Sequence, residues 1–150
     1  MRRCQESRTI SGYSNIQNFS FMASFSLLLT ESPFPGTSHQ QAQDFIRAAL
    51  ALGHQIQRVF FYQDAVLCGN NRIQAPQGQQ DVGEQWRQLA KVGQFPLQLC
   101  IANSIRRGIV DAQESERYGL SGATIKSGFE LAGLGEMADA TTNSDRLVEF

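Results

Sequence analysis

The sequence has few of the patterns that mark metal-binding, disulfide-linked or membrane-spanning proteins. Its three cysteines, Cys4, Cys68 and Cys100, form no CxxC pair and no cluster with histidine. These spacings argue against a zinc site and a disulfide framework, and they fit a protein of the reducing cytoplasm. No stretch reaches the roughly 18 uninterrupted apolar residues that a membrane span needs.

The sequence also lacks an excess of charge of either sign. Thirteen basic residues stand against fourteen acidic ones, which gives a net charge of -1. Because no global positive field is available to hold nucleic acid, we expect no direct binding to RNA. A length of 150 residues, with 41% hydrophobic and 18% charged residues, is typical of one ordinary globular domain.

The first residues show neither helical nor strand periodicity. We therefore expect residues 1–22 to be a poorly ordered N-terminal extension and residues 23–150 to form the domain. A basic start followed by the apolar run 19–29 has some likeness to a secretory signal. Serines interrupt that run, however, and no A-x-A cleavage site follows it. We expect Met22 to be the biological start, and Cys4 then has no role.

Strand and helix patterns alternate from Ala23 onward. The predicted strands are Ser24–Thr30, Ile56–Tyr62, Leu97–Ala102 and Arg146–Phe150, with a short further strand at Ile125. The predicted helices run from Ser38 to Gly53, from Asp81 to Val92, over much of Asn103–Gly119 with a break near Gly108, and from Ser127 to Ala140. This order predicts a three-layer α/β/α sandwich around a mainly parallel sheet of about five strands.

Several polar segments are predicted to lie at the surface. Ser38 and Gln41 have the spacing of a capping box at the first helix. Residues 63–80 are predicted to be loop, and this segment contains Cys68. We expect His39 and His54 to be surface residues, because neither belongs to a carboxylate or ligand pattern. The turn 35–38 lacks the lysine and glycines of a phosphate-binding loop.

Cys100 is the candidate nucleophile. It lies near the carboxyl end of a predicted buried strand, which is where parallel sheets place their ligands, and Arg106 and Arg107 follow it. Cations and helix N-termini favour the thiolate, the reactive form of cysteine. Two other interpretations stay open: Cys100 packs in the core, and the arginines form a solvated helix face. Cys68 has no cation near it in the sequence, so a redox or relay role is the less favoured interpretation.

The segment Leu97–Asp111 resembles the active-cysteine segment of the DsrE-like sulfurtransferases, and within them the TusD subunits of the tRNA 2-thiouridine sulfur relay. The similarity continues through Gly53–Val66, Phe129–Glu136 and Asp145–Phe150, so that it covers the chain from about Ser24. Residues 1–21 and Cys68 have no counterpart in the family pattern, and they inherit no role from it.

The resemblance implies a small cytoplasmic sulfurtransferase in which Cys100 carries sulfane sulfur as a persulfide. It implies TusB-like and TusC-like partner subunits in a dimer of heterotrimers, a TusA-like sulfur donor and a TusE-like acceptor. We expect no metal or organic cofactor, because the protein itself carries the transferred atom. Two alternatives remain: a DsrE-type subunit of dissimilatory sulfur oxidation, and a non-catalytic scaffold subunit with a buried Cys100.

Overall fold

The computed structural model describes residues 22–150, and residues 1–21 of the predicted N-terminal extension, with Cys4, lie outside them. The strands are β1 Ser24–Leu29, β2 Gln55–Phe61, β3 Leu97–Cys100, β4 Phe129–Ala132 and β5 Arg146–Glu149. The helices are α1 Ser38–Ala51, α2 Val82–Gly93, α3 Ile101–Arg106, α4 Ala112–Arg117 and α5 Leu134–Asn143, with a 3₁₀ helix at Gln63–Gly69. Within these residues, no helix combines the length and apolar character needed to cross a membrane.

The five strands form one sheet in the order β4-β3-β2-β1-β5, and every neighbouring pair is parallel. Each step from β1 to β4 moves in one direction across the sheet, whereas the connection through α5 returns to the far side of β1. When all crossovers are right-handed, connections that run in opposite directions along the sheet place their helices on opposite faces of it. Accordingly, α1 and α2 pack against each other, and α5 contacts β2, β4 and β5. The predicted α/β fold class is confirmed.

Buried apolar side chains lie on both faces of the sheet, against the layer formed by α1 and α2 and on the opposite face. All four residues of β3 are buried, as its continuous apolar sequence predicts for a strand covered on both faces. The largest buried side chains are Trp86 of α2 and Phe60 and Phe61 of β2. The predicted cap of α2 is also present, because the Asp81 carboxylate accepts a hydrogen bond from the Glu84 N–H.

The predicted helix Ser127–Ala140 is wrong at its amino-terminal half. Residues Phe129–Ala132 form β4, in register with Leu97–Cys100 of β3, and the helix begins only at Leu134. Gly128 has a φ of 87°, which L side chains rarely adopt and which turns the chain out of any helix there. The predicted strand at Ile125 is a single antiparallel bridge to Asn70. Pairing with a buried neighbouring strand therefore overrides the local pattern.

The prediction of a surface His39 is also wrong. The side chain is 5% exposed, stacks on Phe61, accepts a hydrogen bond from Trp86 Nε1 at 2.9 Å and contacts the Glu31 carbonyl through Nε2 at 2.9 Å. His39 thus satisfies the buried indole N–H of Trp86. The predicted capping box does not form, because Thr37 is the N-cap residue of α1 and makes no side-chain cap bond.

The segment after β2 is not simply the predicted loop. Its first part is the 3₁₀ helix Gln63–Gly69, in which Ala65, Val66 and Cys68 are buried. Gln63 has a φ of 48°, so the chain leaves β2 through a left-handed residue that is not glycine. The polar residues that indicated a loop are confined to its exposed side and to the residues that follow it.

His39 makes stability depend on pH. Burial lowers the pKa of His39 below its ordinary 6.5, and the hydrogen bond to the Glu31 carbonyl only partly opposes this. The unfolded chain therefore binds the proton first, so the free energy of unfolding falls as the pH drops below about 6.5. We expect urea unfolding to show this decrease between pH 7.5 and 5.5, and a His39→Gln variant to show a smaller one. An unchanged slope in the variant would contradict the assignment.

Two glycines at the second position of a helix form a matched pair. A Cβ on Gly83 of α2 would lie 2.2 Å from the backbone carbonyl of Cys68, whereas a Cβ on Gly135 of α5 meets nothing within 4 Å. We expect Gly83→Ala to destabilise the fold by about 1–3 kcal/mol, as overpacking does. Gly135→Ala should be neutral or stabilising by up to about 1 kcal/mol. Chemical denaturation measures both changes in the free energy of unfolding. Equal changes would show that the close approach of α2 to the Cys68 carbonyl does not limit the side chain at position 83.

Candidate active site

Cys100 lies where β3 passes into α3. It is the last residue of the strand and the N-cap of the helix, so the predicted strand Leu97–Ala102 ends two residues early, at Cys100. The side chain is 2% exposed. The next two residues are less buried: Ile101 is half-buried and Ala102 is exposed. The thiol is thus covered, but the first turn of α3 reaches the surface directly beside it.

The sulfur of Cys100 has one polar partner. Asn103 Nδ2 donates a hydrogen bond to Cys100 Sγ at 3.1 Å. Asn103 lies three residues along the chain, within the first turn of α3, and its side chain is buried. An amide N–H directed at sulfur stabilises negative charge there, which is what a thiolate nucleophile requires.

A cation holds the other end of this amide. Arg107 Nη1 contacts the backbone carbonyl of Asn103 at 3.1 Å and its Oδ1 at 3.4 Å. Arg107 Nε and Nη2 donate to Asp64 Oδ1 at 2.8 and 2.6 Å. The four side chains Asp64, Arg107, Asn103 and Cys100 therefore form one hydrogen-bonded chain, which we call the thiol network. Arg106, by contrast, is exposed at the end of α3 and takes no part in it.

Sequence reasoning singled out Cys100 and left the role of the pair Arg106–Arg107 open, and it did not single out Asn103 or Asp64. The signal for Asn103 was its position three residues after a strand-ending cysteine, where a side chain of a helix's first turn can reach back to the N-cap residue. The signal for Asp64 was weaker. It follows β2, the strand next to β3, and the register pairs Phe61 with Leu99, so the residues that follow the two strands meet at one edge.

Cys68 has a different environment. It is buried rather than exposed, against the sequence prediction, and it lines a cavity of about 750 Å³ together with Leu67, Ile73 and Lys126. Burial raises the pKa of Cys68 well above its ordinary value, and the charge of Lys126 only partly opposes this. Cys68 is therefore held as the neutral thiol at physiological pH, which makes it a poor nucleophile.

Lys126 is itself engaged. Its ammonium contacts both carboxylate oxygens of Asp81, at 2.8 and 2.6 Å. Burial raises the pKa of Asp81, but the hydrogen bonds from Lys126 and from the Glu84 N–H outweigh it, so that this pKa lies below its ordinary value. The cavity wall thus holds a paired charge. Across residues 22–150, His, Cys, Asp and Glu side chains form no group of three or more that is placed to bind a metal ion.

Comparison with known proteins shows the family of this chain. The DsrE/DsrF-like family model matches residues 23–150. A sulfurtransferase TusD from Serratia proteamaculans is 39% identical over 130 residues, which cover 86% of this chain and all of that protein. A sulfurtransferase TusD homolog from Pseudomonas aeruginosa is 39% identical over 84% of this chain and 95% of its own length. A relative from Allochromatium vinosum that bears the name DsrE is 36% identical, with 84% and 97% covered.

A solved structure shows the same fold. The YchN protein from Escherichia coli superposes with a TM-score of 0.60, and the match covers 86% of this chain and all of that one at 22% sequence identity. That likeness concerns the architecture alone. The family model and the curated relatives identify the chain as a member of the DsrE/DsrF-like family and as a sulfurtransferase.

Proposed function

We propose that Cys100 is the residue that carries the transferred sulfur, as a cysteine persulfide. One observation supports this most directly: Cys100 ends a buried parallel strand and receives a hydrogen bond from the Asn103 amide on its sulfur. Cys68 offers no such contact, and its thiol is held neutral by burial. Of the two described cysteines, Cys100 has the environment that suits a nucleophile.

The proposed reaction is an exchange between sulfur atoms. The Cys100 thiolate attacks the outer sulfur of a donor persulfide, a new S–S bond forms on Cys100, and the donor's own S–S bond breaks. The donor leaves as a thiolate, and the transferred sulfur stays on Cys100 as S–SH. An acceptor thiolate then attacks that outer sulfur and releases Cys100. Each step conserves electrons, so the cycle needs no external oxidant or reductant.

The names of the relatives support a place in a sulfur relay. Curated relatives that match 84–86% of this chain are named sulfurtransferase TusD. We assign to this chain a TusA-like donor, a TusE-like acceptor and a pathway that leads to the 2-thiolation of the tRNA wobble uridine. Partner subunits of the TusB and TusC type complete the assembly. The chain has a net charge of -1, which favours docking of sulfur carriers over direct contact with tRNA.

The Allochromatium relative supports a second pathway. Its name is DsrE, and it matches this chain nearly as well as the TusD proteins do, at 36% identity. The same Cys100 chemistry would then serve sulfur trafficking in dissimilatory sulfur oxidation. The two pathways differ in the acceptor, so transfer from loaded Cys100 to a TusE-like protein, followed by tRNA thiolation, separates them.

The burial of Cys100 favours a further candidate, a non-catalytic scaffold subunit. At 2% exposure the sulfur is out of reach of a donor in the described conformation. Sulfur transfer therefore requires the first turn of α3 to move when a donor docks. Ala102 is exposed in that turn, so a docking protein can contact it directly. A scaffold subunit would keep Cys100 covered in the assembled complex.

The cysteine variants test the carrier assignment. Cys100→Ser should abolish the mass increase of one sulfur atom that follows incubation with a persulfidated TusA-like donor, because a hydroxyl cannot form a persulfide. The fold should survive, since serine is close in size to cysteine. Cys68→Ser is the matched control and should load sulfur at near the native level. Intact-protein mass spectrometry, with peptide mapping, measures both.

Three results would contradict the assignment of Cys100 as the sulfur carrier. They are sulfur uptake by Cys100→Ser on another cysteine, tRNA thiolation without any adduct on the native protein, and full activity of Cys100→Ser in a thiolation assay. A native complex in which Cys100 neither loads sulfur nor reacts with iodoacetamide would instead establish the scaffold role.

Assembly with partner subunits is a separate expectation. Exposed apolar side chains include Leu134 on α5 and Leu147 on the edge strand β5. None of the four residues of β5 is buried. Co-expression with TusB-like and TusC-like subunits should give one larger species by light scattering, with the mass of a dimer of heterotrimers. A stable monomer in the presence of both partners would count against the relay complex.

A further inference from the structure

We propose that Asp64 and Arg107 are positioning residues for sulfur transfer, which act by fixing the direction of the Asn103 amide toward Cys100. This inference rests on the proposed function of Cys100. It assigns a role to the thiol network beyond the nucleophile itself, and it makes the aspartate after β2 part of the working site.

The first step concerns the two ends of the Asn103 side chain. An amide has an oxygen that only accepts hydrogen bonds and an NH₂ group that only donates them. A guanidinium only donates, so Arg107 Nη1, at 3.4 Å, requires the Oδ1 of Asn103 to face it. The NH₂ group must then point the other way, toward Cys100 Sγ at 3.1 Å. Arg107 thereby decides which end of the amide the sulfur meets.

The second step concerns what holds Arg107. Its Nε and Nη2 both donate to Asp64 Oδ1, at 2.8 and 2.6 Å, and its Nη1 remains for Asn103. The guanidinium is planar, so fixing one edge on the carboxylate fixes the direction of the remaining nitrogen. A lysine or an unpaired arginine would lack this constraint.

The third step separates positioning from stability. The Asp64 side chain is 57% exposed and that of Arg107 is 27% exposed. Ion pairs this exposed contribute little to folding. A carboxylate that adds little stability yet orders a buried amide beside the nucleophile has its main effect on reactivity. Loss of Asp64 should therefore change the chemistry of Cys100 much more than the thermal stability.

The experiment compares isosteric and conservative variants in a Cys68→Ser background. The variants are Asp64→Asn, Asp64→Glu and Asn103→Leu, and Asp44→Asn is the matched control because it breaks the exposed Asp44–Arg47 pair of α1. Two rates are measured for each protein: iodoacetamide labelling of Cys100, located by peptide mass spectrometry, and sulfur loading from a persulfidated donor. Thermal unfolding is recorded alongside.

We expect Asn103→Leu to slow both rates by roughly tenfold or more, the size of a hydrogen bond to a charged group. Asp64→Asn should slow both by about threefold, in keeping with an exposed pair that acts indirectly. Asp64→Glu should recover most of the loss, and Asp44→Asn should match the parent. All three variants at Asp64 and Asp44 should unfold at nearly the parent temperature.

The inference is overturned if Asp64→Asn labels and loads like Asp44→Asn, or if Asp64→Glu fails to recover a loss. Faster labelling in Asp64→Asn would also overturn it, since the pair would then only restrain opening of the site. If Asn103→Leu does not fold, the surface variants at Asp64 still decide the question. Failure of the parent to load sulfur would count against the proposed function, whereas the labelling rates would still test the positioning role.

Discussion

The candidate site depends on the parallel pairing of β2 with β3. The register Val59 to Leu97 and Phe61 to Leu99 brings the carboxyl ends of both strands to one edge. The 3₁₀ helix after β2 and α3 after β3 consequently begin side by side and contact each other. A shift of one residue would turn every side chain of β3 to the opposite face. The meeting of Asp64 with Arg107 is thus a consequence of strand register, which the buried apolar residues of the sheet enforce.

Two buried cysteines illustrate how little burial alone says about reactivity. Cys68 and Cys100 are 4% and 2% exposed; Cys100 is the last residue of β3, and Cys68 lies in the 3₁₀ helix that follows the neighbouring strand β2. The difference lies in what each sulfur contacts. Apolar burial keeps Cys68 in its neutral form, with Lys126 already committed to Asp81. Cys100 receives an oriented amide N–H instead. A polar partner, rather than accessibility, distinguishes the candidate nucleophile.

The sequence alone was sufficient to predict the features whose patterns are local. The apolar run of β3, the position of Cys100 at its end and the Asp81 cap of α2 are all present in the structure. The strand β4 could not be found in this way, because four residues between glycines carry too little periodicity and gain their strand structure by pairing with β3. Asp64 was missed for a related reason: its partner Arg107 is distant in sequence and adjacent only in the fold.

The arginine pair shows why a charge near a thiol in sequence is an incomplete guide to mechanism. Arg106 and Arg107 are consecutive, yet only Arg107 turns toward the site. Even its charge does not act on the sulfur as a free cation, because Asp64 lies 2.6 Å from the guanidinium and largely neutralises it. The ion pair therefore acts on Cys100 through the orientation of an amide and not through the field of a net charge. It fixes the Asn103 amide, and the amide dipole faces the sulfur. The hydrogen bond from Asn103 to Cys100 is itself buried, so salt screens it much less than it screens the exposed ion pair that orients the amide.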